Sequence, residues 1–259
     1  MQISLSARNT PDSIAEINSD GQLIMSIPGG RKGKYRWAQF DDYLHRLRRN
    51  FEWQPPCRLT LIARCDNPQH AGTWGFGFWN DPFNTNLGIS GSVRRLPALP
   101  NCAWFFYASE HNYLSFHDHL PAQGFLAATF SSPRIPPLLL GLGFPFIPLM
   151  LNKRFAKMAR SVFGLLIRQD ASQIQMDVTE WHSYQIDWGK HSVVFAIDDQ
   201  TVLETAIHPY GRQGLVIWVD NQYAAFPPDG KLLFGTLATD FSTSLEIKNL
   251  WVSSTHDPI

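Results

Sequence analysis

The sequence predicts an all-β fold, an antiparallel β-sandwich of the jelly-roll type, on three observations. The chain of 259 residues is long enough for one large β domain with its own core. Short runs rich in β-branched and aromatic residues recur along it, separated by turn residues. Several of these runs alternate with period two, as in Tyr184–Trp188 and Val193–Ile197. Convincing helical patterns are few, so we expect a single jelly-roll domain over residues 1–259.

The predicted strands extend over most of the chain. Asp198 and Asp199, followed by Gln200, predict a tight hairpin between two of them. The strand that contains His182 is expected to pair with Val193–Ile197. In chain order, the predicted strands are Arg58–Ala63, Trp74–Trp79, Ala103–Ala108, Tyr184–Trp188, Val193–Ile197, Thr201–Ile207, Leu215–Val219, Leu232–Thr236 and Leu245–Val252.

One inserted segment, residues 133–170, interrupts the strand pattern. Its first part, Ile135–Leu151, has 17 residues without a charge, but four prolines and two glycines argue against a continuous membrane-spanning helix. Its second part, Asn152–Arg168, has apolar residues at helical spacing, five cations and no acid. This pattern predicts a basic amphipathic helix next to a kinked apolar loop.

The insertion has several possible roles. The helix could cap one end of the sandwich, with its basic face in solvent. Alternatively, residues 135–168 could form a lid over an apolar ligand or make a peripheral membrane contact. The basic residues Arg31, Lys32 and Lys34 would add to the attraction toward anionic lipid if they lie beside the helix.

The charge composition excludes nucleic-acid binding. There are 22 Lys and Arg against 22 Asp and Glu, whereas nucleic-acid-binding proteins usually carry a strong basic excess.

The N-terminal residues do not show the basic and apolar pattern of a secretory signal. The three cysteines, an odd number, cannot all pair within the chain, so we expect reduced thiols in a cytoplasmic protein.

Three segments carry a resemblance to a known family. Glu180–Trp188 reads EWHSYQIDW and is followed by the hairpin Val193–Val202; Gly72–Trp79 reads GTWGFGFW; Leu245–Val252 reads LEIKNLWV. Together they resemble the concanavalin A-like lectin/glucanase superfamily, and most closely glycoside hydrolase family 16. The resemblance implies two curved antiparallel sheets with a ligand cleft on the concave face.

The catalytic motif of that family is missing. Its members carry E-[IL]-D-x-x-E on the strand that follows the G-x-W-P-A-F-W strand, and two of these carboxylates act as nucleophile and acid/base. The corresponding strand in this chain, Ala103–Glu110, reads AWFFYASE, with aromatic residues at the positions of the acids. Glu110 alone cannot fill both roles, and E-x-D-x-x-E occurs nowhere in the chain. We therefore expect no ordinary retaining glycoside hydrolysis.

The candidate catalytic residues are Glu110, His111 and Asp220. Glu110 and His111 belong to a polar cluster after the aromatic strand, and histidine titrates near neutrality. Asp220 lies between Trp218 and Tyr223, which predicts either a polar group in an aromatic pocket or an ordinary strand end.

The candidate substrate-binding residues are mostly aromatic. Gly75 and Gly77 leave room on one face of their strand for a neighbour or a ligand. Asn80 could hydrogen-bond a ligand, although Asn80-Asp81-Pro82 is also typical of a turn. The predicted set is Trp74, Phe76, Trp79, Asn80, Trp104, Phe106, Tyr107, Trp218 and Tyr223.

No metal or cofactor is predicted. His117 and His119 would share a face of an extended segment, but no third ligand is evident. Gly141 and Gly143 do not follow a strand–helix pattern, so they do not indicate a dinucleotide site.

We consider three functions. The favoured hypothesis is that an aromatic-lined cleft binds an apolar small molecule and cyclises or isomerises it, since holding a flexible chain in a reactive conformation lowers the barrier. This would make the chain an enzyme of cyclase or isomerase type acting on a terpenoid, polyene or polyketide-like substrate. The alternatives are a glycan-binding or atypical glycoside-active protein and a non-catalytic peripheral membrane protein. The oligomeric state stays open.

Overall fold

A computed structural model describes residues 3–82, 95–141 and 144–254 of the chain. Its architecture confirms the predicted all-β class. The strands are β1 (Ser6–Asn9), β2 (Ile14–Ile17), β3 (Leu23–Ile27), β4 (Trp37–Asp41), β5 (Cys57–Cys65), β6 (Thr73–Trp79), β7 (Cys102–Ala108), β8 (Gly124–Ser131), β9 (Arg168–Gln173), β10 (His182–Trp188), β11 (Val193–Ile197), β12 (Gln200–Thr205), β13 (Gly214–Asp220), β14 (Gln222–Ala225), β15 (Leu233–Thr236) and β16 (Thr243–Ser254). The helices are α1 (Pro137–Gly141), α2 (Lys153–Leu166) and the 3₁₀ helices Arg48–Asn50 and Phe144–Leu151.

Fourteen of these strands form two antiparallel seven-stranded sheets that pack face to face. The first sheet has the order β1-β4-β13-β6-β7-β8-β9, and the second has the order β12-β11-β10-β5-β16-β3-β2. Strands β14 and β15 pair in a separate ribbon. Many spatial neighbours are far apart in the chain: β13, for example, lies between β4 and β6. This arrangement is the predicted jelly-roll sandwich.

The predicted pairing of β10 with β11 is confirmed. The two strands pair antiparallel, with Tyr184 opposite Ile197 and Trp188 opposite Val193. The tight hairpin predicted at Asp198 and Asp199 joins β11 to β12, and both residues have positive φ angles, 48° and 64°. Two consecutive residues in this conformation match the right-handed twist of the flanking strands, and aspartate tolerates the conformation better than most residues.

The core lies between the two sheets and is strongly aromatic. Alternation along β6 turns Phe76 toward the second sheet, where its ring meets Tyr184 edge-to-face at 5.1 Å. Phe105 of β7 meets Phe195 of β11 in the same way at 5.4 Å. Edge-to-face pairs are a favourable aromatic geometry and add to the stabilisation from buried area. The alternate residues of the first sheet point away from the core, and we call that side its outer face.

The three cysteines agree with the prediction of reduced thiols. Cys57, Cys65 and Cys102 are unpaired and buried. Burial raises the pKa of the Cys57 and Cys65 thiols to about 12. These thiols are therefore structural and unreactive.

The insertion connects β8 to β9, which are neighbours in the first sheet. The predicted basic helix is present as α2, and Asn152 caps it by accepting a hydrogen bond from the backbone N of Arg154 at 2.9 Å. The preceding apolar stretch forms α1 and a 3₁₀ helix that contains Pro148, rather than one continuous helix. Within the described residues, each helix is too short or too polar to span a bilayer.

Candidate ligand-binding face

Three tryptophans meet at the centre of the outer face of the first sheet. Trp79 belongs to β6, Trp104 to β7 and Trp218 to β13, which are adjacent strands. The ring centroids of Trp79 and Trp218 are 6.4 Å apart with the rings almost parallel, and the ring of Trp104 lies 5.9 Å from Trp79 and 5.4 Å from Trp218. All three side chains are partly exposed. We call this set the tryptophan platform.

Two glycines make room for the platform. Gly75 pairs with Trp218 across β6 and β13, and Gly77 pairs with Trp104 across β6 and β7. A Cβ added at Gly75 would lie 2.8 Å from Cη2 of Trp218, and one added at Gly77 would lie 2.7 Å from Cβ of Trp104. The space predicted beside these glycines is therefore occupied by indoles from the neighbouring strands.

Hydrogen bonds hold two of the indoles in place. Trp79 Nε1 donates to the hydroxyl of Tyr43 at 2.7 Å. Trp218 Nε1 donates to Oγ1 of Thr73 at 3.0 Å, and that hydroxyl donates to Oδ1 of Asp220 at 2.8 Å. Since the partners of these indoles are side chains of the protein itself, the rings are pre-organised, and binding would cost less side-chain entropy.

Asp220 is the buried acid at one end of the platform. Removal of its carboxyl group from water raises its pKa to about 7, although hydrogen bonds from Thr73 and from the backbone N of Gln222 act in the opposite direction. A carboxyl group with this pKa is present in both protonation states near neutrality. It can therefore accept a hydrogen bond from a ligand hydroxyl or donate one to it.

A second polar group lies beside Trp218 on the adjacent strand. Gln39 of β4 pairs directly with Trp218 and is partly exposed. Its Nε2 donates to Asp41 Oδ2 at 2.9 Å, and the same carboxylate accepts from Arg8 at 2.6 Å. The same Nε2 donates to the Tyr43 hydroxyl at 3.3 Å, so within the described residues the Oε1 acceptor of Gln39 is the atom left for a ligand.

Asp41 and Asp220, two carboxylates of the outer face, are too far apart to act together as a glycosidase pair. Among the described strands, Asp41 and Asp220 are the acids on this face of β4 and β13. Asp41 of β4 pairs with Val216 of β13, and Asp220 lies four residues after Val216 on β13. Four residues of extended chain span about 13 Å. Retaining enzymes place their two carboxylates about 5 Å apart, and inverting enzymes about 6.5–9.5 Å apart.

The structure places five of the predicted site residues together on this face. They share the outward phase of alternation along adjacent strands, and Phe106 packs under the platform with its ring 6.0 Å from that of Trp218. The five are Trp79, Trp104, Phe106, Trp218 and Asp220.

Three predicted substrate-binding residues point the other way. Trp74 and Phe76 are fully buried in the core between the sheets, and Tyr107 packs at its edge, stacked on Trp74 at 5.7 Å. The physical reason is strand alternation: a strand that presents Trp79 outward must turn Trp74 and Phe76 inward. These residues support the sheet from behind and do not line the outer face.

The remaining predicted residues lie around the rim. Asn80 is buried, and its amide is used within the protein: Nδ2 donates to Leu99 O at 2.8 Å and Oδ1 accepts from Asn101 N at 3.0 Å. It is therefore the turn residue that the sequence also allowed. Glu110 and His111 are exposed in the loop after β7, and the ring of His111 lies 6.4 Å from that of Tyr223.

Three residues of the face were missed from the sequence. Thr73 shares the outward phase of Gly75 and Gly77, a signal that would have identified it. Gln39 and Tyr43 belong to a strand and a loop that the sequence pattern did not reveal, so no comparable signal existed for them.

The insertion covers one side of the platform. Partly buried apolar side chains from it, including Ile135, Leu140 and Phe163, pack against the cluster around Phe106 and Leu126. A shallow cavity of about 410 Å³ lies within the insertion itself. Its lining residues are Leu149, Asn152, Arg154, Phe155 and Met158.

Two solved structures with this architecture carry glycoside hydrolase names. A glycoside hydrolase family protein from Mycobacterium thermorestibile has a TM-score of 0.50 and 9% identity, over 91% of this chain and 78% of that one. A glycoside hydrolase family 16 endo-glucanase from Bacteroides ovatus has a TM-score of 0.50 and 10% identity, over 96% and 93%. This chain has their fold. The jelly roll also matches a sialidase at a TM-score of 0.44, of which it spans 17%. No protein-family model and no curated protein sequence matches the chain.

These neighbours correct the favoured functional hypothesis. The expectation of an apolar small-molecule ligand that is cyclised or isomerised is wrong, since the structures that share the jelly roll act on glycans. The outer face agrees with this correction, because its aromatic rings are packed against one another as a surface and are flanked by polar groups.

Proposed function

We propose that this chain is a glycan-binding protein whose tryptophan platform stacks on sugar rings. The observation that carries the proposal is the contiguous, partly exposed set of Trp79, Trp104 and Trp218, two of which are fixed in position by neighbouring hydroxyl groups. A sugar ring has an apolar face that suits an indole and a rim of hydroxyls that needs polar partners. Gln39 and Asp220, which both lie next to Trp218, supply such partners.

The carboxylate spacing favours binding without hydrolysis. The endo-glucanase neighbour is named for action on glucans, and glucans are accordingly the substrate class to test first. Cleavage by either glycosidase mechanism needs two carboxyl groups at a defined separation, and Asp41 and Asp220 do not meet it.

The binding test uses tryptophan fluorescence during titration with laminarin and lichenan. Trp218→Ala removes the central ring, and we expect binding at least about tenfold weaker, as is usual for a central aromatic contact. Trp251→Ala is the matched control, because Trp251 is exposed on the second sheet, away from the platform. Equal affinities for the two variants, or no binding of any glucan by the wild type, would overturn the proposal.

A second measurement separates binding from catalysis. We expect no release of reducing sugar from either glucan by the wild-type protein. Release that is lost on Glu110→Gln would show a hydrolase and contradict a purely binding role.

A further inference from the structure

The helix α2 has an apolar stripe on one side and packs onto the sandwich with the other side. Its buried residues are Ala156 and Arg160, with Phe163 partly buried against the outer-face cluster. At about 100° per residue, Met158, Val162 and Leu165 lie on the other side of the helix. Their exposed fractions are 56%, 47% and 85%. The helix therefore presents its apolar stripe to the surroundings.

Arg160 fixes this orientation. Its guanidinium donates to the carbonyl oxygens of Ser115 at 2.8 Å and Phe226 at 2.6 Å, and it pairs with Asp118 at 2.6 Å. The same group lies over the ring of Tyr113, 5.3 Å from its centroid. A buried arginine with this many partners holds the helix in one rotational setting, so the outward apolar stripe is a built feature.

The preceding 3₁₀ helix continues the apolar surface. Leu149 shares the shallow cavity with Phe155 and Met158, next to the exposed stripe. Leu151 is 90% exposed at the junction with α2. Monomeric proteins seldom leave contiguous apolar patches in water, and such patches mark contact sites.

Positive charge surrounds this apolar surface. Residues 133–169 contain no acid, and their exposed cations are Arg134, Lys153, Arg154, Lys157 and Arg168. Arg160 is the one cation of α2 that is turned inward. A second copy of the chain would bring these like charges together, so charge complementarity selects an anionic partner. A lipid bilayer offers anionic headgroups and hydrocarbon along the whole length of one helix.

We propose that residues 149–166 dock onto an anionic lipid bilayer, with α2 lying parallel to the membrane surface. Met158, Val162 and Leu165 enter the acyl boundary, and the flanking cations contact the headgroups. This surface is separate from the tryptophan platform, so the two proposals succeed or fail independently.

The test is sedimentation of the full chain with vesicles of phosphatidylcholine alone or of equal parts phosphatidylcholine and phosphatidylglycerol. We expect binding only to the anionic vesicles, and weaker binding at higher salt. Leu165→Glu should weaken this binding at least about tenfold. The control Phe241→Glu changes an exposed apolar residue in the loop before β16 and should bind like the wild type. A thermal melt checks that both variants fold.

A charge-matched pair tests the electrostatic part. The double variant Arg154→Gln/Lys157→Gln should bind anionic vesicles about 30-fold more weakly. The control Arg31→Gln/Lys32→Gln removes the same net charge from exposed positions elsewhere and should have little effect. Absence of wild-type binding, or equal losses in both double variants, would overturn the proposal. Self-association that Leu165→Glu abolishes, without any vesicle binding, would also overturn it and identify a second copy as the partner.

Discussion

Replacing Asp220 with asparagine removes a buried ionisable group and keeps its shape. In the wild type, Oδ1 accepts hydrogen bonds from the Thr73 hydroxyl at 2.8 Å and from the backbone N of Gln222 at 3.1 Å. The carbonyl oxygen of an asparagine can accept both. The substitution Asp220→Asn therefore isolates the effect of charge on stability.

The sign of the effect follows from the two pKa values of this carboxyl group. In the unfolded chain Asp220 ionises near pH 3.8, and in the folded protein burial raises the pKa to about 7. The unfolded state therefore loses its proton first, and wild-type stability falls as the pH rises from about 4 to about 7. The difference corresponds to about 4 kcal/mol as an upper limit. Above the folded pKa the loss is complete and the contribution becomes constant.

Urea unfolding at a series of pH values measures this dependence. Relative to the wild type, the free energy of unfolding of Asp220→Asn should rise with pH up to about 7 and then stay level. Asp42 provides a comparison, because burial also raises its pKa to about 7, on the core side of β4. Asp42→Asn should remove a similar dependence of the free energy of unfolding on pH. Parallel curves for the wild type and Asp220→Asn would refute the reasoning.

Two further variants test the packing around the site. Arg160→Ala leaves the carbonyls of Ser115 and Phe226 without their donor, so chemical denaturation should show a loss of about 3 kcal/mol, whereas Arg154→Ala at an exposed position should cost under about 0.5 kcal/mol. A full-sized loss in Arg154→Ala would contradict this. Gly75→Ala places a Cβ 2.5 Å from a backbone carbonyl oxygen of β7 and should destabilise by about 1–3 kcal/mol while weakening glucan binding; an unchanged melt and affinity would contradict it.

The strands were predictable where one face is buried and the other is in water. β10 and β11 alternate cleanly for this reason, and the hairpin between β11 and β12 could be placed from Asp198 and Asp199. β8 was missed because both of its faces are covered, so Phe125–Phe130 reads FLAATF, which is apolar except for Thr129 and shows no period of two. β9 was missed because its sequence, RQDASQ, is polar and the strand lies at the sheet edge.

The residue types of the site were predictable, but the face of the sheet or helix on which each side chain lies was not. Alternation divides the residues of β6 into two sets, yet it does not tell which set faces the second sheet, and Trp74 and Phe76 were assigned to the ligand for that reason. The orientation of α2 was equally hidden. Arg160 is buried only because Ser115 and Phe226, distant in sequence, supply acceptors for it.

The position of the insertion bears on how this protein could have evolved. Ser131 and Arg168 already pair at the ends of β8 and β9, so the segment between them is an overgrown hairpin connection. Closing 36 residues instead of four costs only about 2 kcal/mol of chain entropy. Ancestral forms of this protein could therefore have gained, exchanged or lost this connection without any change in the strand order of the sheet. The exposed surface of the insertion and the tryptophan platform beside it would then evolve under separate selection.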